Sequence, residues 1–397
     1  MTFKYVTALS IVTILSGCNN DSSSSGATSV AVTPSIPTKP VPGNTELADR
    51  IDEMMLSQIS RSATALMVGD IWQGYGSYYS SSPKYILKMD GRNANKAFLV
   101  NPKVINDGYE QLGANENQGL KVYRYDRNMD LAKDKLYGSE GNGSFEFYYQ
   151  FEGSNYYLQN YEPAQIYYSE FNMEVASFIA LHVHESFHVF QDRFTIPHGA
   201  AQDFDNYPVN QDQLTSRLML LNAIDGLPKQ MSKEEAKALL KVYVALTQEQ
   251  IEKDQTGLVK KMGTYQEWLE GAPMYVDTMV VRRILEKAKD RKFNYMPLLE
   301  NIIAMANSPE SNKEKTKQAI DSYFKQGIFY ETGSAAIWLL KTAGYPVTDK
   351  IEQGITPFEA AKSFVGNFDN DAFLQEYYRN TKETDNIKKL AEKLASY

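Results

Sequence analysis

The spacing of the apolar residues changes twice along the chain. Residues 46–67 repeat them at helical intervals, which predicts an amphipathic helix with Thr45 as its N-cap. Residues 69–168 instead show short alternating runs broken by Gly, Asn and Pro, a pattern typical of strands and hairpins. The predicted strands cover residues 85–88, 97–100, 120–125, 144–151 and 165–168.

Helical spacing returns after residue 173 and continues to the end of the chain. Ser232 with Glu235, and Thr356 with Glu359, match capping boxes at two of the helix starts. Helices are predicted near residues 173–194, 209–225, 233–255, 265–289, 312–326, 329–342, 357–365 and 370–395.

This order of elements favours an α+β fold over a doubly wound sheet. We expect one helix and a β-rich region in residues 45–170, followed by a mainly helical region in residues 171–397. Fifteen of the 27 tyrosines lie between Tyr75 and Tyr168. Half-buried strands explain such tyrosines, because the ring packs while the hydroxyl stays hydrated. The alternative is a surface that binds peptide or glycan.

Composition excludes several classes of function. The formal charge of −8 argues against nucleic acid as a partner, because phosphate binding requires clustered Lys and Arg. The single cysteine, Cys18, excludes an intramolecular disulfide and any metal site built from several thiolates. The oligomeric state is left open.

The first residues predict export and a lipid anchor. A short basic start and an apolar run of ten residues, 6–15, are typical of a signal peptide covering residues 1–17. The sequence Leu-Ser-Gly-Cys that ends at Cys18 resembles the lipobox of bacterial lipoproteins. The resemblance implies lipidation of Cys18 and anchoring to the cell envelope, and Asn19 after it favours the outer membrane. Residues 18–44, rich in Ser, Thr and Pro, would form a flexible tether.

All four histidines lie between positions 182 and 198. His184, Glu185 and His188 form the pattern H-E-x-x-H. Residues four apart on a helix are offset by only about 40°, so His184 and His188 can share one metal ion. Glu185 is close enough to reach a water on that metal. His182 projects about 160° away from His184, which indicates a packing or surface role.

The chain resembles gluzincin-type zinc metallopeptidases, which take a third ligand from a later helix. The sequence W-L-E-G-A-P-M-Y, from Trp268 to Tyr275, is similar to their W-x-x-E-G-x-A-x-Y tract, with one residue fewer after the Trp. The resemblance implies that Glu270 is the third zinc ligand, although it lies 82 residues after His188. Pro273 should disturb a helix through Glu270, unless the helix begins near residue 272.

Other residues compete for each role in the predicted site. Glu267, Asp277 and His198 remain rivals of Glu270 as the third ligand. For stabilising an oxyanion we favour Tyr330, because Gly333 and the small residues after it permit a close approach of the backbone. Tyr275 is the competing tyrosine.

These observations predict a zinc-dependent hydrolase, most simply a peptidase acting on peptide or protein. His184, His188 and Glu270 would hold Zn²⁺, and Glu185 would act as general base on a zinc-bound water. The alternative is a catalytically inactive surface lipoprotein that keeps the metallopeptidase-like body and binds peptide or glycan through its tyrosine-rich region.

Overall fold

The computed structural model describes residues 47–113, 119–137, 147–166, 177–228, 230–284, 298–307 and 313–397. The predicted signal peptide, the predicted tether and Cys18 lie outside these residues. In the described part the chain combines many helices with one mixed sheet, which confirms the α+β composition. No helix there is long and apolar enough to cross a bilayer.

A six-stranded sheet occupies the first half of the chain, and its strand order is β3-β4-β2-β1-β6-β5. Strands β1 and β6 are parallel, whereas the other neighbours are antiparallel. The elements of this half are α1 (Arg50–Met67), α2 (Tyr75–Ser81), β1 (Lys84–Asp90), β2 (Asn93–Val100), β3 (Glu110–Gln111), β4 (Val122–Arg124), α3 (Met129–Tyr137), β5 (Tyr148–Phe151) and β6 (Ser154–Tyr161).

Both faces of the sheet are covered. Ile86 and Phe98 pack on the face that joins the large helical core, while Tyr85 and Leu87 belong to a second core beneath α3. Leaving Tyr137 aside, none of the described tyrosines between Tyr75 and Tyr161 is exposed, and most are buried. In the described part of this region the tyrosines therefore serve mainly to pack the sheet.

Helices dominate the second half of the chain. They are α4 (Ser177–Gln191), α5 (Gln211–Ile224), α6 (Lys233–Lys253), α7 (Thr264–Ile284), α8 (Leu298–Ala306), α9 (Lys313–Ser322), α10 (Ile328–Thr342), α11 (Val347–Glu352), α12 (Pro357–Val365), α13 (Asn370–Asn380) and α14 (Thr384–Ala395). One π-helical turn, Val259–Gly263, leads directly into α7, and another, Tyr323–Gly327, leads into α10. Helix α7 packs against both α4 and α10.

Local sequence signals predicted some helix starts and missed others. The capping boxes of Ser232 and Thr356 are confirmed at the starts of α6 and α12. The prediction for the first helix was wrong, because its N-cap is Asp49 and not Thr45. The Asp49 side chain accepts hydrogen bonds from the first-turn N–H groups, while Asp52 accepts one from the Asp49 backbone.

Two strand predictions also need correction. Gln165 and Ile166 lie in a helical turn rather than a strand, and the rest of that predicted strand is outside the described residues. Strand β6 was not predicted, although it is central to the sheet through its pairing with β1.

The predicted helix 370–395 is interrupted after Asn380, giving α13 and α14.

Candidate metal centre

Helix α4 brings the histidine pair together. Its sequence contains neither Pro nor Gly, and Val183 and Phe187 are buried in the core. His184 and His188 follow one another along another face, with ring centroids 5.0 Å apart. Both rings are buried, with exposed fractions of 4% and 6%. The helical spacing therefore places two imidazoles side by side, as the sequence predicted.

Glu270 on α7 lies directly opposite this pair. Its Oε2 is 3.2 Å from Nε2 of His188 and 3.4 Å from Nε2 of His184. One ligand atom from each of these three residues lies within 4.8 Å of the other two, and all three residues are buried. The group could hold a metal ion.

Helix α7 runs through Glu270 without a break, so the predicted disturbance at Pro273 is wrong. Pro273 is inside the helix. Since proline has no N–H, it leaves the carbonyl of residue 269 without its usual helical donor. The helix remains continuous despite the missing hydrogen bond, because it is buried along almost its whole length and is stabilised by tertiary packing.

A close crossing of α7 and α10 also holds Glu270 in place. A Cβ on Gly271 would lie 2.6 Å from Cα of Gly333, and a Cβ on Gly333 would lie 2.9 Å from Cα of Gly271. Only two glycines allow the backbones to approach this closely. The crossing places Glu270 and Tyr330 on neighbouring surfaces of the same cluster.

Two polar side chains orient the imidazoles. Oδ2 of Asp277, two turns after Glu270 on α7, is 2.9 Å from Nδ1 of His184. Oε1 of Gln191 is 3.1 Å from Nδ1 of His188, and its amide donates to the Trp268 carbonyl at 3.0 Å. With each Nδ1–H bound to an acceptor, both rings present Nε2 toward Glu270, where it can serve as a ligand atom.

The rival ligands lie elsewhere. Glu267 accepts hydrogen bonds from Tyr243 and Thr332, on the side of α7 that faces α6 and α10. Asp277 supports His184 from behind rather than joining the three ligand atoms. His198 is exposed in the loop after α4 and does not belong to the cluster.

The fourth histidine has a packing role. His182 is fully buried between the rings of Tyr79 and Tyr157, and its Nδ1 is 2.7 Å from Oε1 of Gln159 on β6. Burial lowers the pKa of its imidazole well below the ordinary value. It therefore joins α4 to the sheet in the neutral form.

Of the two candidate tyrosines, Tyr330 is the one at the cluster. Its ring stacks on that of His184 with centroids 5.6 Å apart. Burial, followed by the charges of Glu270 and Glu185, raises the pKa of its phenol well above 10. The hydroxyl is therefore a proton donor at neutral pH. Tyr275 instead packs beneath the ammonium group of Lys341, with Asp70 and Arg283 as its charged neighbours.

The cluster concentrates negative charge. Glu185, Glu270 and Asp277 are all buried. Among the described residues, Glu270 and Asp277 form ion pairs only with His184 and His188. Burial opposes a proton on His184, but hydrogen bonds with Asp277 and Glu270 outweigh it and raise its pKa to about 10. Burial raises the pKa of Glu185. The site thus favours a bound cation, whether a proton or a metal ion.

Sequence reasoning missed the role of Gln191, although its position on the His184 face of α4 was a usable signal. Asp277 was recognised only as a rival ligand. Comparisons of the chain with protein-family models, with curated proteins and with solved structures find no match. Any inference about function therefore depends on the local arrangement of His184, His188 and Glu270.

Proposed function

We propose that the chain is a zinc-dependent hydrolase, most simply a peptidase of the gluzincin type. The observation that carries the proposal is the position of Glu270. A carboxylate from α7 lies within 3.4 Å of both imidazoles of an H-E-x-x-H helix, 82 residues after His188. Core packing alone would not require a buried carboxylate with two imidazole Nε2 atoms directed at it, whereas a metal site would.

The donor set fits zinc. Two imidazole nitrogens and one carboxylate oxygen are typical protein ligands of a catalytic zinc site, which keeps a further position for water or substrate. Asp277 and Gln191 supply the outer hydrogen bonds that such ligands generally have. When bound, the ion would polarise a substrate carbonyl and acidify a water molecule.

The chain's own residues then divide the proton transfers of peptide hydrolysis. Glu185 is next to His184 and buried, and its raised pKa makes it a stronger base than an ordinary glutamate. Its carboxylate would take a proton from the attacking water and return it to the leaving amine nitrogen as the C–N bond breaks. The Tyr330 hydroxyl would donate a hydrogen bond to the carbonyl oxygen as that oxygen gains negative charge.

Metal content tests the proposal directly. The purified chain should contain about one zinc per molecule by elemental analysis, and His188→Ala should lose it. His198→Ala is the matched control, because it removes an exposed histidine of the same segment. A wild-type chain that takes up no zinc during dialysis against the metal would overturn the proposal.

A second experiment separates metal binding from catalysis. Glu185→Gln keeps the shape of the side chain but removes the base, so zinc should remain while turnover of a peptide substrate falls by about 10²-fold or more. Full activity in this variant would exclude Glu185 as the base. A screen of ester and amide substrates beside peptides would identify a non-peptide hydrolase.

The alternative function is a catalytically inactive lipoprotein that binds peptide or glycan through the tyrosine-rich sheet. The burial of the described tyrosines weighs against it, because it leaves little phenol surface for a ligand. Absence of zinc together with measurable peptide or glycan binding would favour this function over the hydrolase.

We also propose that Cys18 carries a lipid anchor to the bacterial envelope, probed by labelling cells with an alkyne fatty acid. Cys18→Ser should abolish the label and release the protein from membrane fractions. Retention of the variant in those fractions would argue against lipid anchoring.

A further inference from the structure

A buried arginine without an ion-pair partner among the described residues marks a second candidate site. Arg217 on α5 is only 2% exposed. Its Nε donates to Oε1 of Gln250 at 3.2 Å and its Nη1 to the Phe324 carbonyl at 3.3 Å, whereas its Nη2 has no hydrogen-bond partner in the part of the chain that the structure describes. Among the described residues no carboxylate lies within 4.0 Å of the guanidinium. Within the described ranges the charge is therefore buried without a contact ion pair, and Asp254 acts on it only from a longer distance.

Such an arrangement is energetically unfavourable by itself. A guanidinium stays protonated in proteins, so burial cannot neutralise it. The Tyr207 ring, whose centroid is 4.7 Å from the guanidinium carbon, offsets part of the cost through a cation–π contact. Carbonyl and amide oxygens offset a further part, but an isolated buried charge generally requires a counter-ion.

A cavity adjoins Arg217. It lies between α5, α6, α7 and α10, and its volume is ≈ 20 Å³. This is room for one small guest. Thr247 is part of the wall, and its buried hydroxyl also has no hydrogen-bond partner among the residues described. Two donors of different chemical type therefore border the same space.

The first π-helical turn contributes to the wall of this cavity, and the second binds Arg217. Val259 and Gly263 of the first turn are part of its wall, and Phe324 of the second provides the carbonyl that holds Arg217. A π-helical turn is rare and less stable than a regular helix, and such turns occur frequently at functional sites. The convergence of two of them here is a separate indication of a site.

The polar groups on the wall favour an anion over a cation, because its acceptors are already hydrogen-bonded while some of its donors are not. Of the described wall residues, Glu267 alone carries a carboxyl, and its two oxygens are bound to the hydroxyls of Tyr243 and Thr332. Gln250 is also committed, because its oxygen accepts from Arg217 and its amide donates to the Leu246 carbonyl. The remaining polar groups of the described wall residues are the Arg217 N–H and the hydroxyls of Thr247 and Tyr207, all of which can donate a hydrogen bond.

We propose that this cavity, named the Arg217 cavity, binds a single small monovalent anion of the size of chloride. Nη2 of Arg217 and Oγ1 of Thr247 would donate to the ion, beside the Tyr207 ring that contacts the guanidinium in the same wall. The proposal is independent of the zinc site, since it concerns a different cluster and its tests require no catalysis.

Bromide provides a direct test, because it replaces chloride and scatters anomalously. Crystals of the full chain soaked in sodium bromide should show an anomalous peak within hydrogen-bonding distance of Nη2 of Arg217. An ordered water in that position, without anomalous signal, would overturn the proposal.

Thermal unfolding tests binding in solution. At constant ionic strength, replacing sodium methanesulfonate with sodium chloride should raise the Tm of the wild type by a few degrees, with saturation at high chloride. Equal Tm values in the two salts would overturn the proposal. Thr247→Val keeps the shape of the side chain and should shift the half-saturating chloride concentration upward by about fivefold or more.

Arg217→Met should abolish the chloride-specific increment, and Arg379→Met on the exposed face of α13 should retain it. If Arg217→Met does not fold, Thr247→Val and the bromide crystals decide the question. An unchanged chloride response in a folded Arg217→Met variant would assign the effect to another part of the protein.

Discussion

Gly271 and Gly333 contact each other backbone to backbone where α7 crosses α10. A Cβ added to Gly271 would lie 2.6 Å from Cα of Gly333, a separation that real Cβ atoms essentially never show. Gly271 directly follows Glu270, and Gly333 is one turn after Tyr330. The crossing therefore determines how closely the third candidate ligand and the candidate oxyanion donor approach the histidine pair.

A methyl group at this crossing should separate the helices. Gly333→Ala is expected to lower the free energy of unfolding by about 1–3 kcal/mol, the usual cost of overpacking, as measured by urea denaturation. It should also weaken zinc binding in competition with a chelator, because Glu270 moves with α7. Gly271→Ala should behave alike, and the double variant should lose less stability than the sum of both. Wild-type stability in Gly333→Ala would contradict the close crossing.

The hydrogen bond between Asp277 and His184 should be measurable as metal affinity. Asp277→Asn keeps the size of the side chain but removes the charge that favours the Nδ1–H form of the imidazole. We expect zinc affinity to fall by about 10- to 100-fold, as is usual for such supporting residues. Competition with a chelator of known affinity measures the change.

Glu267→Gln is the matched control for that experiment. Glu267 is a buried acid on the same helix, but it contacts Tyr243 and Thr332 rather than a ligand histidine. Its zinc affinity should equal that of the wild type. If Glu267→Gln lost as much zinc affinity as Asp277→Asn, any buried negative charge on α7 would strengthen zinc binding, whether or not it contacts a ligand histidine.

The histidine pair was predictable because its geometry is local. Spacing of four residues on one helix is enough to place His184 and His188 together, whatever the rest of the fold. The position of Glu270, in contrast, depends on tertiary structure, because it is set by how α4 and α7 cross. Helical spacing alone could not distinguish Glu270 from Glu267, since both are buried acids on α7. The resemblance to a family tract selected the residue that lies beside the histidines.

The strand pattern was a weaker guide than the helix pattern. Strand β6 contains the sequence Ser-Asn-Tyr-Tyr-Leu-Gln-Asn-Tyr, in which polar residues occupy half of the positions. Buried Gln159 accepts a hydrogen bond from the Tyr157 hydroxyl of its own strand, but it also depends on α4, where it meets His182 and the Phe178 carbonyl. Tertiary contacts of this type override the local period-two signal, so the strand is not evident before the fold is known.

Tyr330→Phe tests the oxyanion role. Removing the hydroxyl leaves the ring stacked on His184, so zinc content should not change. The kcat for a peptide substrate should fall by about 10²-fold with little change in KM, because the lost hydrogen bond strengthens only in the transition state. Tyr275→Phe provides the comparison, since it removes a buried hydroxyl from the same pair of helices away from the cluster. Equal losses in both variants would remove Tyr330 from the mechanism.

The buried Glu267 should make the stability of the protein depend on pH near neutrality. Burial raises the pKa of its carboxyl to about 7 from an ordinary value of 4.5, although the hydroxyls of Thr332 and Tyr243 oppose the shift. Between these values the folded protein binds more protons than the unfolded chain. The stabilisation from this group is therefore complete below pH 4.5 and is lost as the pH rises through 7, by about 3 kcal/mol in total.

Glu267→Gln should remove this part of the pH dependence. The amide cannot ionise, so the variant should lose less stability than the wild type between pH 4.5 and 8, and it should be the more stable protein at pH 8. Urea denaturation at a series of pH values, in a fixed metal state, measures both effects. Glu376→Gln, at an exposed position of α13, is the control and should follow the wild-type profile. A Glu267→Gln profile parallel to the wild type would mean that this carboxyl stays ionised in the folded protein despite its burial.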